Sequence, residues 1–138
     1  MDDKLKALQQ AAIFADLDDK SLEALARVTD RVAVKAGRVL MTEGEVVTHM
    51  YIMIDGSASV HVDGNKVADL GPGRVIGELS MVDDKPSSAT VVIDEPSHLW
   101  LVPRAGFLPV WEDNPEMSVA MLRAVVRKLR ATDELLHN

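Results

Sequence analysis

The chain has 138 residues, a mass of 15.1 kDa and no cysteine, which bounds it to one domain and excludes disulfides, thiolate nucleophiles and cysteine-based metal sites. Fifteen Lys and Arg against 22 Asp and Glu give a formal net charge of −7, the wrong sign for a chain that works by neutralising nucleic-acid phosphates. The 47% hydrophobic and 27% charged residues are the balance of an ordinary globular domain, and no apolar run approaches the roughly 20 residues that span a bilayer.

The acidic opening Met1-Asp2-Asp3-Lys4 lacks the apolar stretch of a secretory signal, so a cytoplasmic chain with no membrane partner is expected. Residues 2–28 then read as helical, with Leu5, Leu8 and Ala12 and again Leu22, Leu25 and Ala26 on spacings of three and four. The pattern breaks around Phe14 to Asp18, and Asp18 or Asp19 can cap a second helix that starts near Ser21. From Asp30 the pattern changes to short runs rich in Val, Ile and Thr. Val32–Val34, Val39–Met41, Met50–Ile54, Ala58–Val62, Lys66–Leu70, Ala89–Ile93 and His98–Val102 are the expected strands, punctuated by Gly37, Gly44, Asp55-Gly56, Asp63-Gly64 and Gly71-Pro72-Gly73. After Pro103 a short helix is expected over Arg104–Trp111, then a long one opened by Asn114 as cap and Pro115 as first helical residue and running to about Leu136. Its residues Leu122, Val125, Val126, Leu129 and Leu136 form a narrow apolar seam at near-heptad spacing. The expected fold is mainly β with terminal helices: N-terminal helices over 1–28, a β-roll over 30–102 and C-terminal helices over 104–136, together one domain over 1–138.

One loop carries more chemistry than the rest. Gly71 to Met81 and then Asp83 to Val91 place glycines, a Glu78-Leu79-Ser80 stretch able to make one helical turn, and a small-residue segment between two strands. Backbone N–H groups at the start of such a turn converge and attract an anion, while Gly77 lets a ligand approach closely.

Taken in order along the chain, these motifs resemble the cyclic nucleotide-binding domain of catabolite-activator-type regulators, the regulatory subunit of cAMP-dependent kinase and nucleotide-gated channels. Phe14-Ala15-Asp16-Leu17-Asp18 with Leu22 to Leu25 is similar to the family's N-terminal helical motif, and Glu43-Gly44-Glu45 followed by Met50 to Gly56 to its early hairpin. Gly73 to Met81 and Pro86 to Val91 fall without a gap on its phosphate-binding cassette. The resemblance implies a double-stranded β-helix or jelly roll closed by the cassette, with a C-terminal hinge and long helix. It further implies that Glu78 accepts a ribose 2′-hydroxyl, that Gly77, Leu79, Ser80, Ser88 and Ala89 surround the ligand, that Val60, Val67 and Ala68 line its apolar side, and that Thr132 and Lys128 approach from the long helix. As strand residues, Val60, Val67 and Ala68 are expected in the core in any case.

Ser87 departs from the pattern, because it stands where the family carries an Arg that pairs with the cyclic phosphate. Losing such a partner costs about 2–5 kcal/mol. Three outcomes stay open: a cation from elsewhere, Lys85 or Lys128, compensates; the site takes an uncharged or differently charged nucleotide-like ligand; or the pocket is empty and the chain works by packing alone.

No metal or catalytic constellation is expected, since His49, His61, His98 and His137 are widely spaced and no nucleophile elbow appears. Arg123, Arg127, Lys128 and Arg130 read as a solvated helix face near a C-terminus, where the dipole favours cations. The family's transcription factors continue past this helix into a helix-turn-helix, whereas this sequence ends at Asn138. The expectation is therefore a non-catalytic regulatory domain without a cofactor, sensing cAMP, cGMP or a related nucleotide and acting through a homodimer on its C-terminal helix or through a separate effector protein. The alternative is a ligand-free structural or dimerisation module.

Overall fold

The computed structural model describes residues 2–137, with Met1 and Asn138 outside them. The chain opens with α1 (Asp2–Gln10), a 3-10 turn at Ala12–Phe14 and α2 (Asp19–Arg27). The break between the helices has a local cause. Ile13 and Phe14 are drawn into the core, and Asp18 is extended so that its carboxylate accepts the Ser21 N–H at 2.8 Å. That bond satisfies a donor that a helix start leaves open and is the foremost reason the Asp18 carboxyl lies below the usual carboxylate range. At the far end of α2, Lys4 donates to the Ala26 and Thr29 carbonyls at 2.9 and 2.8 Å, where the helix dipole favours a cation. Its ammonium also lies 5.7 Å from the Trp100 ring centroid.

Eight strands among the described residues form two four-stranded antiparallel sheets. One holds β1 (Asp30–Val34), β8 (Ser97–Pro103), β3 (His49–Met53) and β6 (Val75–Ile76) in that order; the other holds β2 (Val39–Met41), β7 (Thr90–Glu95), β4 (Ser57–Val62) and β5 (Asn65–Leu70). This is the mainly β roll with terminal helices that the short Val- and Ile-rich runs implied. The strand with no forerunner in the sequence pattern is β6, two residues inside the glycine-rich loop, held only by pairing Ile76 with Tyr51 and Val75 with Ile52.

β3 is apolar at every position from Met50 to Met53 because successive side chains point to opposite faces and both faces are covered. Met50 and Ile52 enter a core with Leu8, Phe14, Leu25, Phe107 and Met117 from the helices, while Tyr51 and Met53 enter a core between the sheets with Ala58, Ile93 and Leu99. Burial pushes the Tyr51 phenol above its ordinary range.

Two local expectations are corrected. Val67 and Ala68 are exposed, Val67 by 60%. β5 is a sheet edge, and its register steps from Val60–Ala68 to His61–Lys66, so Val67 is the extra residue of a bulge and stands outside the packed face. Val60 remains half-buried against the inter-sheet core. Asn114 does not open the last helix with its side chain. Its amide donates to the Val110 carbonyl at 2.8 Å, at the end of α3 (Arg104–Asp113), and its own carbonyl accepts the Met117 N–H at 2.9 Å. The last helix, α4, therefore runs Met117–His137 and starts two residues after Pro115.

α4 turns Met117 and Met121 into the helical core beside Ile13 and Phe14, and Ala124 is buried as well. Val125, expected on the outer seam, packs half-buried against that core. Leu122, Val126, Leu129 and Leu136 are exposed, and Val119 joins them. Ile52 is 1% exposed in the layer both cores share, so Ile52→Ala is expected to lower stability by about 2–5 kcal/mol, measured by urea denaturation, with the far-ultraviolet circular dichroism of the folded state unchanged.

Candidate functional site

The site grows from the end of β6. Gly77 follows with φ of +80°, and a Cβ placed there would lie 3.0 Å from the His49 carbonyl oxygen and 3.4 Å from Val47 Cγ1. Only glycine takes this left-handed turn so close to a neighbouring backbone. The chain then winds into a 3-10 turn, Glu78–Met81, anchored by the fully buried Met81 and leaving Leu79 exposed. Ser80 N–H is returned to the Gly77 carbonyl at 3.2 Å.

The loop after this turn is tied down at several points. Arg104, at the start of α3, pairs with Asp84, and Val46 bridges Pro86. Gly44 N–H donates to the Ser87 carbonyl and Ser87 N–H to the Glu45 carbonyl, both at 2.8 Å. The Ser87 side chain is engaged locally: its hydroxyl donates to the Ala89 carbonyl at 2.6 Å and accepts the Ala89 N–H at 3.2 Å, and the residue is 8% exposed.

A cavity of about 290 Å³ lies against this loop, and Gly77, Glu78, Leu79, Ser80, Ser87, Ser88 and Lys128 all line it. Seven of the residues singled out in the sequence thus meet around one space. Ala89 serves it indirectly, through the Ser87 hydroxyl. Thr132 lines a second, apolar cavity of about 220 Å³ under α4, and its hydroxyl donates to the Lys128 carbonyl at 3.2 Å. Val60 and Val67 line neither space. Lys85 stands exposed on the loop, outside the cavity lining, so Lys128 is the lining cation of the two expected candidates. Pro86 and Met41 also line the first cavity: Pro86 belongs to the cassette stretch of the sequence, whereas Met41 comes from β2, carries no signal for the site in the sequence pattern, and is brought to it only by the closed roll.

The electrostatics of the site centre on one contact. Lys128 Nζ lies 3.1 Å from Glu78 Oε1, with the Glu78 side chain 15% exposed and that of Lys128 58%. Ile13 N–H approaches the other carboxylate oxygen at 3.5 Å. One residue earlier on α4, Arg127 pairs with Asp16 beside the first 3-10 turn. Adjacent basic residues therefore hold α4 to both the N-terminal segment and the cassette. Leu79, Glu78 and Lys128 line both cavities, so the ion pair stands between a space of mixed lining and an apolar one.

Three histidines are engaged elsewhere. His49 Nδ1 bonds Thr48 Oγ1 at 2.8 Å, His61 Nε2 bonds Ser59 Oγ at 2.9 Å, and His98 meets Asp55 through its ring and its backbone N–H. That N–H, ahead of the ring, holds the Asp55 carboxyl below its usual range. Among the described residues no three His, Asp or Glu side chains form a group that could hold a metal ion, and no helix is long and apolar enough to cross a membrane.

Because the left-handed turn and the 3.0 Å approach coincide at Gly77, Gly77→Ala is expected to cost at least about 1–2 kcal/mol in urea denaturation and to speed proteolytic cleavage within residues 77–89.

Comparison with known proteins agrees with this geometry. The cyclic nucleotide-binding domain profile matches residues 31–114, more than half of the chain. Over 129 residues, 93% of its length, the chain is 33% identical to an uncharacterized NTE family protein of Mycobacterium tuberculosis, of which it spans 22%. It is 31% identical over 136 residues to the CRP-like cAMP-activated global transcriptional regulator of the same organism, covering 94% of this chain and 60% of that one. The crystal structure of the N-terminal domain of a transcriptional regulator from Streptomyces coelicolor superposes with a TM-score of 0.80 at 32% identity, over 94% of both chains. The chain thus spans less than two thirds of these curated relatives. From the roll, the Gly77–Ala89 loop and this match together, the chain belongs to the cyclic nucleotide-binding domain family.

Proposed function

We propose that the chain is a single, non-catalytic sensor domain that takes a cyclic nucleotide or related nucleotide-like molecule in the Gly77–Ala89 cassette and signals through α4. The observation that carries this is the 3.1 Å contact of Lys128 with Glu78: the carboxylate to which the family resemblance assigns a ribose hydroxyl is also one of the groups that hold the long helix. A ligand hydroxyl on Glu78 changes the partner of α4 in the same event. The name of one relative, a cAMP-activated transcriptional regulator, supports a regulatory role of this kind. Val60 and Val67, placed away from the cavity, drop out of the proposed contacts, and Ser87 contributes through the shape of the loop.

A thermal-shift panel of cAMP, cGMP, cyclic dinucleotides and free nucleosides tests the reading, since a site-selective ligand stabilises only what it binds. Glu78→Ala is expected to abolish any ligand-induced rise in melting temperature while leaving a folded protein; a response that persists in this variant would move the site elsewhere.

The output proposed is association through α4 or capture of a separate effector protein, with no nucleic acid or membrane engaged and a cytoplasmic location. Val119, Leu122, Val126, Leu129 and Leu136 are exposed on one helix at the spacing that lets two helices interdigitate across a two-fold axis. Light scattering at micromolar concentration is expected to give a dimer for the protein and a monomer for Leu129→Asp. The second reading, a structural or dimerisation module without a ligand, is favoured by the internal hydrogen bonds of the Ser87 hydroxyl and predicts no response to any member of the panel.

A further inference from the structure

We infer that the cassette prefers an uncharged nucleoside over the corresponding cyclic nucleotide; the inference rests on the reading of this loop as the ligand site. Two charged side chains line the cavity, Glu78 and Lys128, and they are paired at 3.1 Å. The charges that the chain itself brings to the site therefore cancel. A nucleoside leaves it neutral, and its ribose hydroxyls find an acceptor in the Glu78 carboxylate, whose two oxygens offer more lone pairs than Lys128 and the distant Ile13 N–H use.

A cyclic nucleotide brings one negative charge, and the loaded site then carries an uncompensated one wherever Lys128 goes. With Lys128 on Glu78, the phosphate has no cation. If Lys128 moves to the phosphate, the carboxylate, whose side chain is 15% exposed, is left alone in a partly buried setting where water screens it poorly.

Nearby groups do not make up the difference. Arg104 is paired with Asp84 and Arg127 with Asp16. The Ser87 hydroxyl donates a hydrogen bond to the Ala89 carbonyl at 2.6 Å and accepts one from the Ala89 N–H at 3.2 Å, so both groups are engaged before a phosphate arrives. The residue at position 87 is thus a determinant of ligand charge, because an Arg there restores neutrality with the anion bound and Ser does not.

Titration calorimetry of the intact chain with adenosine and cAMP, and with guanosine and cGMP, tests this. The better-bound nucleoside is expected to bind at least tenfold more tightly than its cyclic nucleotide. Glu78→Gln removes one negative charge at constant shape and is expected to shift that ratio at least tenfold toward the cyclic nucleotide. Ser87→Arg is expected to shift it the same way where that variant folds. A wild-type chain that binds the cyclic nucleotide as tightly as the nucleoside overturns the inference and leaves the cassette reading standing, as does a ratio unmoved by Glu78→Gln. Binding of neither class overturns the cassette reading itself, and the inference with it.

Discussion

β3 is covered on both faces, and the site depends on that constraint. Its even positions belong to the helical core and its odd positions to the core between the sheets, and the neighbouring β8 divides in the same way, with Val102 in the first and Leu99 in the second, so the two packing units meet through the sheet that holds β3. β6 pairs along one edge of β3, and the cassette turn leaves directly from β6. The left-handed Gly77 sits against the backbone of His49, the first residue of that strand. The position of the cassette loop is thus set by a deeply packed strand, although the loop itself lies at the surface.

The helices add a second attachment from outside. α3 reaches the loop through Arg104 and Asp84, and α4 reaches it through Lys128 and Glu78. In each pair one partner stands largely in solvent, Asp84 in the first and Lys128 in the second, so the contribution to stability is modest and the effect is positional. A small gain per contact suits the proposed shift of this helix when the site fills, because a strongly bonded helix would not respond to the modest free energy that a small ligand supplies.

Much of this was legible in the sequence, for identifiable reasons. The strands and the terminal helices were visible because their apolar periodicity is local, and the cassette because Gly77, Glu78 and Pro86 lie within one ungapped stretch. β6 was not, since two residues carry no period and Val75-Ile76 is made a strand by Tyr51 and Ile52. Val67 looked like core because strand composition says nothing of a bulge at a sheet edge. Asn114 followed by Pro115 is a strong helix-start signal, yet the side chain was claimed by the preceding helix, a competition decided only when α3 and α4 are folded side by side. The engagement of the Ser87 hydroxyl with its own chain was likewise invisible: the sequence shows which residue replaces an Arg, and only the folded loop shows where its hydroxyl goes.

The placement of the two tryptophans gives the chain optical reporters of its own. Trp111 meets Phe107 at a tilt, with ring centroids 5.6 Å apart, and donates its indole N–H to Ser118 of α4 at 2.8 Å, while Trp100, on β8, lies under the Lys4 ammonium. Movement of α4 alters the hydrogen bond and solvation of the first indole and leaves the second as an internal reference. The intrinsic fluorescence of the unlabelled chain therefore distinguishes a displaced long helix from a loosened N-terminus, and the single-tryptophan variants Trp100→Phe and Trp111→Phe separate the two signals.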